Sequence, residues 1–362
     1  MKLSDVCDVY SGYAFKKFND LGHGVPVIKI SNLLSDGSID LINCLFTTEN
    51  FKEKFYSKKN DIYIALSGAT TGKVGIMDKD DTFVINQRVG IVRNRSTVPN
   101  EYLKYFLMSK SNRILEEASG CAQPNISPKQ IADYDVPIFS DAEMIKIVSE
   151  LREIDKVKSI YQRRLELLDE LVKARFMEMF GDPVSNSKDL PIQKMNNVAP
   201  ICQYDGSFEE RVWLLNLDMV ESQTGRIINY NIVGKDAIGG SVCTFDENNI
   251  LYSKLRPYLN KVVIPNGKGY ATSELVPLRP DNKIINRIYL AYLLRSNEFV
   301  EMIKEKVAGA KMPRVSMSDF REFNVPVPPL ELQNQFASFV QEIDKSRLLS
   351  NHSLSLIKSI IF

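Results

Sequence analysis

The sequence predicts a mixed α/β (α+β) protein made of two similar heads in tandem, each followed by a long amphipathic helix. Three observations predict it: an internal repeat, the same order of short apolar runs and helices in both halves, and a sustained apolar seam closing each half. Glu153-Ile154-Asp155-Lys156 returns as Glu342-Ile343-Asp344-Lys345, an offset of 189 residues (155 to 344). At that offset Gly120, Pro124, Ser127, Val136 and Pro137 return as Gly309, Pro313, Ser316, Val325 and Pro326. Upstream the match drifts slightly, with Tyr102-Leu103 against Tyr289-Leu290 and Arg93 against Arg279. A period this long is not a solenoid, whose units span tens of residues. Two heads on a helical spacer suit two separated sites on one long partner.

Each head opens with short apolar runs punctuated by glycine and asparagine. In the first, Pro26-Val27-Ile28-Lys29-Ile30, Asp61-Ile62-Tyr63-Ile64-Ala65-Leu66, Phe83-Val84-Ile85 and Val89-Gly90-Ile91-Val92 read as strands. The second offers Val212-Trp213-Leu214-Leu215, Ile250-Leu251-Tyr252, Lys261-Val262-Val263-Ile264 and Leu275-Val276-Pro277-Leu278. Helices follow around 100–117 and 286–306, then a Gly/Pro loop, Gly120 to Ser127 or Gly309 to Ser316. A strand ending in Val136-Pro137 or Val325-Pro326 closes each head.

The long helices come next. Ile147, Leu151, Ile154, Lys158, Tyr161, Leu165, Leu168, Val172, Arg175 and Met179 recur in steps of four and three. Phe336, Val340, Ile343, Arg347, Ser350, Leu354, Ile357 and Ile361 do the same, with a basic residue, Lys158 or Arg347, interrupting both seams. Sustained 4-3 spacing is a coiled-coil signature; the alternative is an amphipathic helix lying on its own head. The first helix, roughly 143–180, would be about 55 Å long. Gly181-Asp182-Pro183 stops it, glycine just past the end and proline soon after.

Composition narrows the classes of function. The 362 residues are 44% hydrophobic and 25% charged, enough for two folded domains plus connecting helices. The net charge of +1 excludes a protein coated in lysine, so polyanion binding must rest on local patches or on a partner. There is no run of eighteen apolar residues, and Met1-Lys2-Leu3-Ser4-Asp5 lacks the apolar core of a signal peptide. Five scattered cysteines, none in C-x-x-C spacing, argue against a disulfide framework or structural zinc and fit a reducing cytoplasm. His23 and His352, the only histidines, are expected on the surface.

Gly68-Ala69-Thr70-Thr71-Gly72-Lys73 resembles a phosphate-binding loop but fails its pattern twice. Three residues separate the glycines instead of four, and Val74 stands where a magnesium-binding hydroxyl belongs. What remains, with Ser67, Thr70, Thr71 and Lys73, is a loop suited to phosphate or base-edge contact. Its counterpart, Ser253 to Lys261, is more basic and carries Lys254, Arg256, Tyr258 and Lys261. Arginine can address guanine, and asparagine or glutamine adenine. The same chemistry singles out Gln87-Arg88, placed in a strand after Asn86, and the two Gly/Pro loops. Those loops carry Gln123, Asn125 and Lys129 in one copy against Lys311, Arg314 and Ser316 in the other. For each, the alternative is an ordinary solvated turn. No catalytic set, metal site or cofactor motif is found; no G-x-G-x-x-G follows a strand.

The duplicated layout, Ser67-Gly68-Ala69-Thr70-Thr71-Gly72-Lys73-Val74-Gly75, the Pro-x-x-Ser loops, and the helix leading into Phe180-Gly181-Asp182-Pro183 resemble the specificity subunits of type I restriction-modification systems. So does the opening Leu3-Ser4-Asp5-Val6-Cys7-Asp8-Val9-Tyr10-Ser11-Gly12-Tyr13-Ala14-Phe15. The resemblance implies target recognition domains at 1–142 and 183–331. Residues 143–182 and 332–362 would be spacer helices packed as an antiparallel two-helix coiled coil. It also implies a bipartite, asymmetric double-stranded DNA target. Two methylation subunits and restriction subunits would be the partners that supply the chemistry, with no membrane involved. The second helix ends about one turn short of its counterpart, implying a short distal coiled coil or a truncated chain. Two other readings stay open: a self-contained methyltransferase or nuclease with unfamiliar motifs, and a dimeric coiled-coil adaptor that binds proteins only.

Overall fold

The computed structural model describes residues 1–80, 82–118, 124–306 and 313–361. They form two compact units, Met1–Gln162 with Ser353–Phe362, and Arg163–His352, so the division falls inside both long helices.

In the first unit a four-stranded antiparallel sheet runs in the order Cys7–Ser11, Val89–Asn94, Ile62–Ala65, Val74–Ile76. Every residue of Ile62–Ala65 is buried. Successive side chains of a strand point to opposite faces, and here both faces are covered. Ile62 and Ile64 belong to one core with Val92, Leu103, Phe106 and Ile114, while Tyr63 and Ala65 belong to another with Ile28, Ile85, Val89 and Ile91. Two-sided burial is why the run is apolar without alternation. A smaller sheet orders Leu45–Thr47, Val25–Ile28 and Val84–Ile85, the last pair parallel.

The second unit repeats the plan. Ile250–Ser253 lies between Val262–Val263 and Leu275–Leu278, with Ile250 and Tyr252 on one core and Leu251 on another. The accompanying sheet again contains a parallel pair, Gly269–Thr272 against Arg211–Leu215. Matching hydrogen bonds mark the duplication. The Tyr102 hydroxyl donates to the Pro137 carbonyl at 2.7 Å, and that of Tyr289 to Pro326 at 2.8 Å. The Leu3 amide donates to Tyr134 at 2.9 Å, and that of Met195 to Phe323 at 2.8 Å.

Local packing corrects several sequence expectations. The helix expected around 100–117 is two, Asn100–Ser109 and Ser111–Ala118, and that around 286–306 is Arg287–Arg295 and Asn297–Lys306. Ser296 is extended, and its hydroxyl accepts from the Phe299 amide at 3.2 Å, capping the new helix. Gln87 and Arg88 sit in the turn between Val84–Ile85 and Val89–Asn94 rather than in a strand. Asn324–Pro326 is a strand paired with Ile192–Lys194, whereas the first head has at that place only an isolated bridge between Lys2 and Asp135.

The first long helix is Asp141–Phe180 and the second Leu330–Ile361. On the first, Ile147, Leu151, Ile154, Lys158, Tyr161, Leu165 and Leu168 are half-buried and Val172 is buried. On the second, Phe336, Val340, Ile343 and Ser350 are buried and Leu354 and Ile357 half-buried; the Ile361 side chain lies outside the described residues. Within the second unit, Phe176 and Phe180 each stand 5.5 Å from Phe336, and Asp169 binds Arg347 at 2.6 Å. Rising positions on one helix meet falling positions on the other, so this pair is antiparallel. Gly181 ends the first helix at φ +70°, its amide donating to Met177 at 2.9 Å. A Cβ there would lie 2.3 Å from the Ser187 hydroxyl oxygen.

Phe180 packs on Phe176, Tyr289 and Phe336, with Tyr289 nearest at 4.7 Å. Phe180→Ala should lower the unfolding free energy of the second unit by about 3–5 kcal/mol in a denaturant titration. A loss below about 1 kcal/mol would show that the helix end is held by something else.

Candidate functional site

Three loops meet at one end of each unit's central sheet, and main-chain bonds tie them together. In the first unit the hairpin between Ile62–Ala65 and Val74–Ile76 is joined to the segment after the Gly/Pro loop. The Gly68 amide donates to Pro124 at 3.1 Å and the Ile126 amide to Leu66 at 2.9 Å, with Ser67 and Asn125 in an isolated bridge. The Leu66 amide donates to Arg88 at 2.9 Å, adding the third loop.

The second unit repeats all three links. The Arg256 amide donates to Pro313 at 2.8 Å, Val315 to Lys254 at 2.9 Å and Lys254 to Glu274 at 3.0 Å, with Leu255 and Arg314 bridged. Position by position, Gly68 is matched by Arg256, Gly72 by Asn260, Asn125 by Arg314 and Arg88 by Glu274. The frame is common; the side chains it displays differ.

The backbone explains part of the pattern. Gly68 and Gly72 both have φ of +85°, which glycine adopts freely. Arg256 and Asn260 keep left-handed φ values of +49° and +50° without that freedom. A bulky residue there is uncommon, and strain of this kind concentrates at functional sites.

Among the candidate residues of the first unit, Gln87, Arg88, Asn125 and Lys129 are exposed and Ser67, Thr70 and Lys73 half-buried. Thr71 is buried and its hydroxyl donates to the Gly68 carbonyl at 2.7 Å, closing the loop on itself. Gln123 lies outside the described residues, as does Lys311 of the second unit. There Arg256, Tyr258, Arg314 and Ser316 are exposed and Lys254 half-buried. Lys261 is drawn inward: its ammonium donates to the Leu217 carbonyl at 2.6 Å, and burial lowers its pKa against the pull of Asp218. Arg314 forks onto Glu274, with a closest approach of 2.9 Å. Its nearest readout partner, Glu274, was not among the sequence candidates. It recurs from Arg88 at the same drifted offset that relates Arg93 to Arg279, so the repeat contained the signal.

Ser127 and Ser316 have a local task. Ser127 caps Pro128–Ala132 in a reciprocal capping box with Gln130, and Ser316 accepts from the Asp319 amide to cap Met317–Arg321. The repeated Pro-x-x-Ser is thus a helix start placed directly after the bridged segment.

This surface can donate hydrogen bonds and positive charge to an extended polyanion. Among the described residues no group of histidine, cysteine, aspartate and glutamate is arranged to hold a metal ion. Burial pushes the Cys7 thiol up to about 12 and those of Cys44 and Cys243 to about 11, which removes them as nucleophiles near neutrality. No described helix is long and apolar enough to cross a membrane.

The comparisons with known proteins point one way. A family model described as "Type I restriction modification DNA specificity domain" matches residues 1–170 and 218–359. The type I restriction enzyme EcoDI specificity subunit of Escherichia coli is 24% identical over 283 residues, 68% of this chain and 63% of that relative. The MjaVIII specificity subunit of Methanocaldococcus jannaschii is 27% identical over 183 residues, 48% of this chain and 43% of its own length. The chain therefore spans less than two thirds of these two curated relatives. A solved chain from work on assembly and conformational transition of the type I R-M system matches at TM-score 0.56 and 15% identity, covering 100% of this chain and 94% of that one. The S subunit from M. genitalium matches at 0.50 and 17%, covering 100% and 93%. At such identities the structural likeness concerns the fold.

The capping role is directly testable. Ser316→Ala should cost roughly 0.5–2 kcal/mol of stability, and a thermal melt that does not move would show that the hydroxyl has another use.

Proposed function

Because the chain belongs to the type I restriction-modification DNA specificity family, we propose that it reads a split, asymmetric double-stranded DNA sequence, one half-site per unit. The observation that carries this reading is the repeated three-loop frame with unlike side chains: Gly68 against Arg256, Asn125 against Arg314, Arg88 against Glu274. A shared frame docks both heads on the duplex in the same way, and different side chains make the two half-sites different. Main-chain and lysine contacts to phosphate set the register, and exposed Arg, Asn and Gln read base edges.

The chain acts without chemistry of its own. Two methylation subunits and the restriction subunits bind it in the cytoplasm and modify or cut the DNA to which it directs them. The near-neutral charge suits this division, since partners supply much of the phosphate grip. The long helices set the gap between half-sites. Incubating the purified chain with DNA and a labelled methyl donor tests the division; methyl transfer by the chain alone refutes it.

Arg256 provides a cleaner test than truncation to alanine. Arg256→Gly installs the residue that the first head uses at the same place, relieving left-handed strain of about 1–2 kcal/mol. Stability should hold or rise, while affinity for the preferred site falls by about 1–3 kcal/mol and preference relaxes at one base pair. A uniform loss for all sequences, with a shallower salt dependence, would make Arg256 a phosphate contact instead.

The ruler is tested by length. A heptad inserted near Arg163 in the first helix and near His352 in the second keeps the seam in register. It adds about 10 Å, or roughly 3 base pairs. The selected gap should lengthen with both half-sites intact; altered bases within a half-site would contradict the ruler.

A further inference from the structure

The seam cation Arg347 is not a defect in the helix pair, because an ion relay runs from it into the second head. The Asp169 carboxylate, on the first long helix, accepts from Arg347 at 2.6 Å and from Arg226 at 2.6 Å through both of its oxygens. Arg347 is further anchored by Asp344 at 2.5 Å. The Arg347 side chain is only 11% exposed, against 31% for Asp169 and 40% for Arg226, so the Arg347 end of the relay is the less screened by water.

Arg226 closes a tight turn of the head, in which the Glu221 amide donates to Arg226 at 2.8 Å and Gly225 has φ +66°. The tip of that turn reaches the readout loop. The Gln223 amide donates to the Leu259 carbonyl at 2.9 Å, and the Gln223 side-chain amide donates to Tyr258 at 2.9 Å. Leu259 in turn is bonded to Arg256, the strained residue, at 2.9 Å. Short polar contacts, joined through the main chain of the turn, therefore link both helices to the Arg256–Tyr258 loop.

A cavity of about 600 Å³, lined by Arg226, Tyr230, Tyr292 and Arg295 among others, borders the same turn. The flanks of the turn, Val220 and Ile227, are bridged to each other and packed on the head's core, while its tip is held by the polar contacts of Gln223 and Arg226. In the first unit the long helix meets its head through other pairs, Arg152 with Glu101 and the Tyr105 hydroxyl donating to Asp155 at 2.8 Å. Its matching turn carries Asp36, whose carboxyl is held low by the Ser38 hydrogen bonds and by Lys158, against the upward pull of burial.

We propose that Asp169 is a positioning residue that fixes the second head on the helical spacer, and so sharpens discrimination between DNA gap lengths. The inference rests on the proposed reading of the long helices as a ruler. A ruler measures only as well as its ends are clamped, and a head free to pivot tolerates neighbouring gaps. Asp169 touches no base in this scheme; it acts through Arg226 and Gln223.

The test uses the chain assembled with its methylation subunits and a randomised DNA pool, followed by a second pool in which the selected half-sites are separated by varied gaps. Asp169→Ala, Arg226→Ala and the double variant are compared with the parent, with thermal melts alongside. The expected result is unchanged half-sites, with preference for the parental gap over those one base pair shorter or longer falling about tenfold. The double variant should be no worse than either single one, as for residues acting through one contact. Asp169→Glu, which keeps the charge, should restore much of the discrimination. Variants with lower melting temperatures but undiminished gap preference would overturn the inference and leave the ruler intact. A parent chain that enriches no split sequence would overturn the recognition reading itself, and this inference with it.

Discussion

Main-chain hydrogen bonding between loops distant in sequence is the constraint on which the rest of this structure depends. Each head ties a hairpin, a turn and the segment before a short helix together through backbone amides and carbonyls, at 2.8–3.1 Å in both copies. Backbone bonds ask little of side-chain identity, so the displayed residues are free to differ while the frame persists. That separation of frame from display is what lets one fold serve two unlike recognition surfaces, on the reading proposed here.

The frame needs a rigid floor, and two-sided burial of the central strand supplies it. Ile62–Ala65 and Ile250–Ser253 are buried at every residue, and alternate side chains enter different cores. The hairpins that carry the candidate residues emerge directly from these strands. Loops mounted on such strands hold their geometry better than loops that only cross a surface.

Charge is used sparingly and locally. Several cations that look available in the sequence are committed within the fold: Arg93 forks onto buried Asp61, Lys261 donates to a carbonyl, and Arg347 pairs with Asp169 and Asp344. A buried ion pair adds little net stability compared with apolar packing, yet removing one partner is costly. Such pairs serve better as locks on geometry than as glue. Exposed Arg88, Lys129 and Arg256 remain for an external anion.

By itself the sequence determined the duplication, the buried strands, the two long helices with their seams, and the glycine that ends the first. All of these are written as local periodicities or as identity at a nearly constant offset, so no knowledge of distant contacts was needed. The family resemblance rests on the same order of parts. The tertiary structure alone decided the breaks at Lys110 and Ser296, the placing of Gln87 and Arg88 in a turn, and the left-handed Arg256. It also decided which candidates turn inward, Thr71 and Lys261, and that the candidate Ser316, like its repeat partner Ser127, caps a helix. Asp169 carries no sequence signal: its partners lie 57 and 178 residues away. Such pairings depend on three-dimensional proximity, which a residue's neighbours along the chain do not encode.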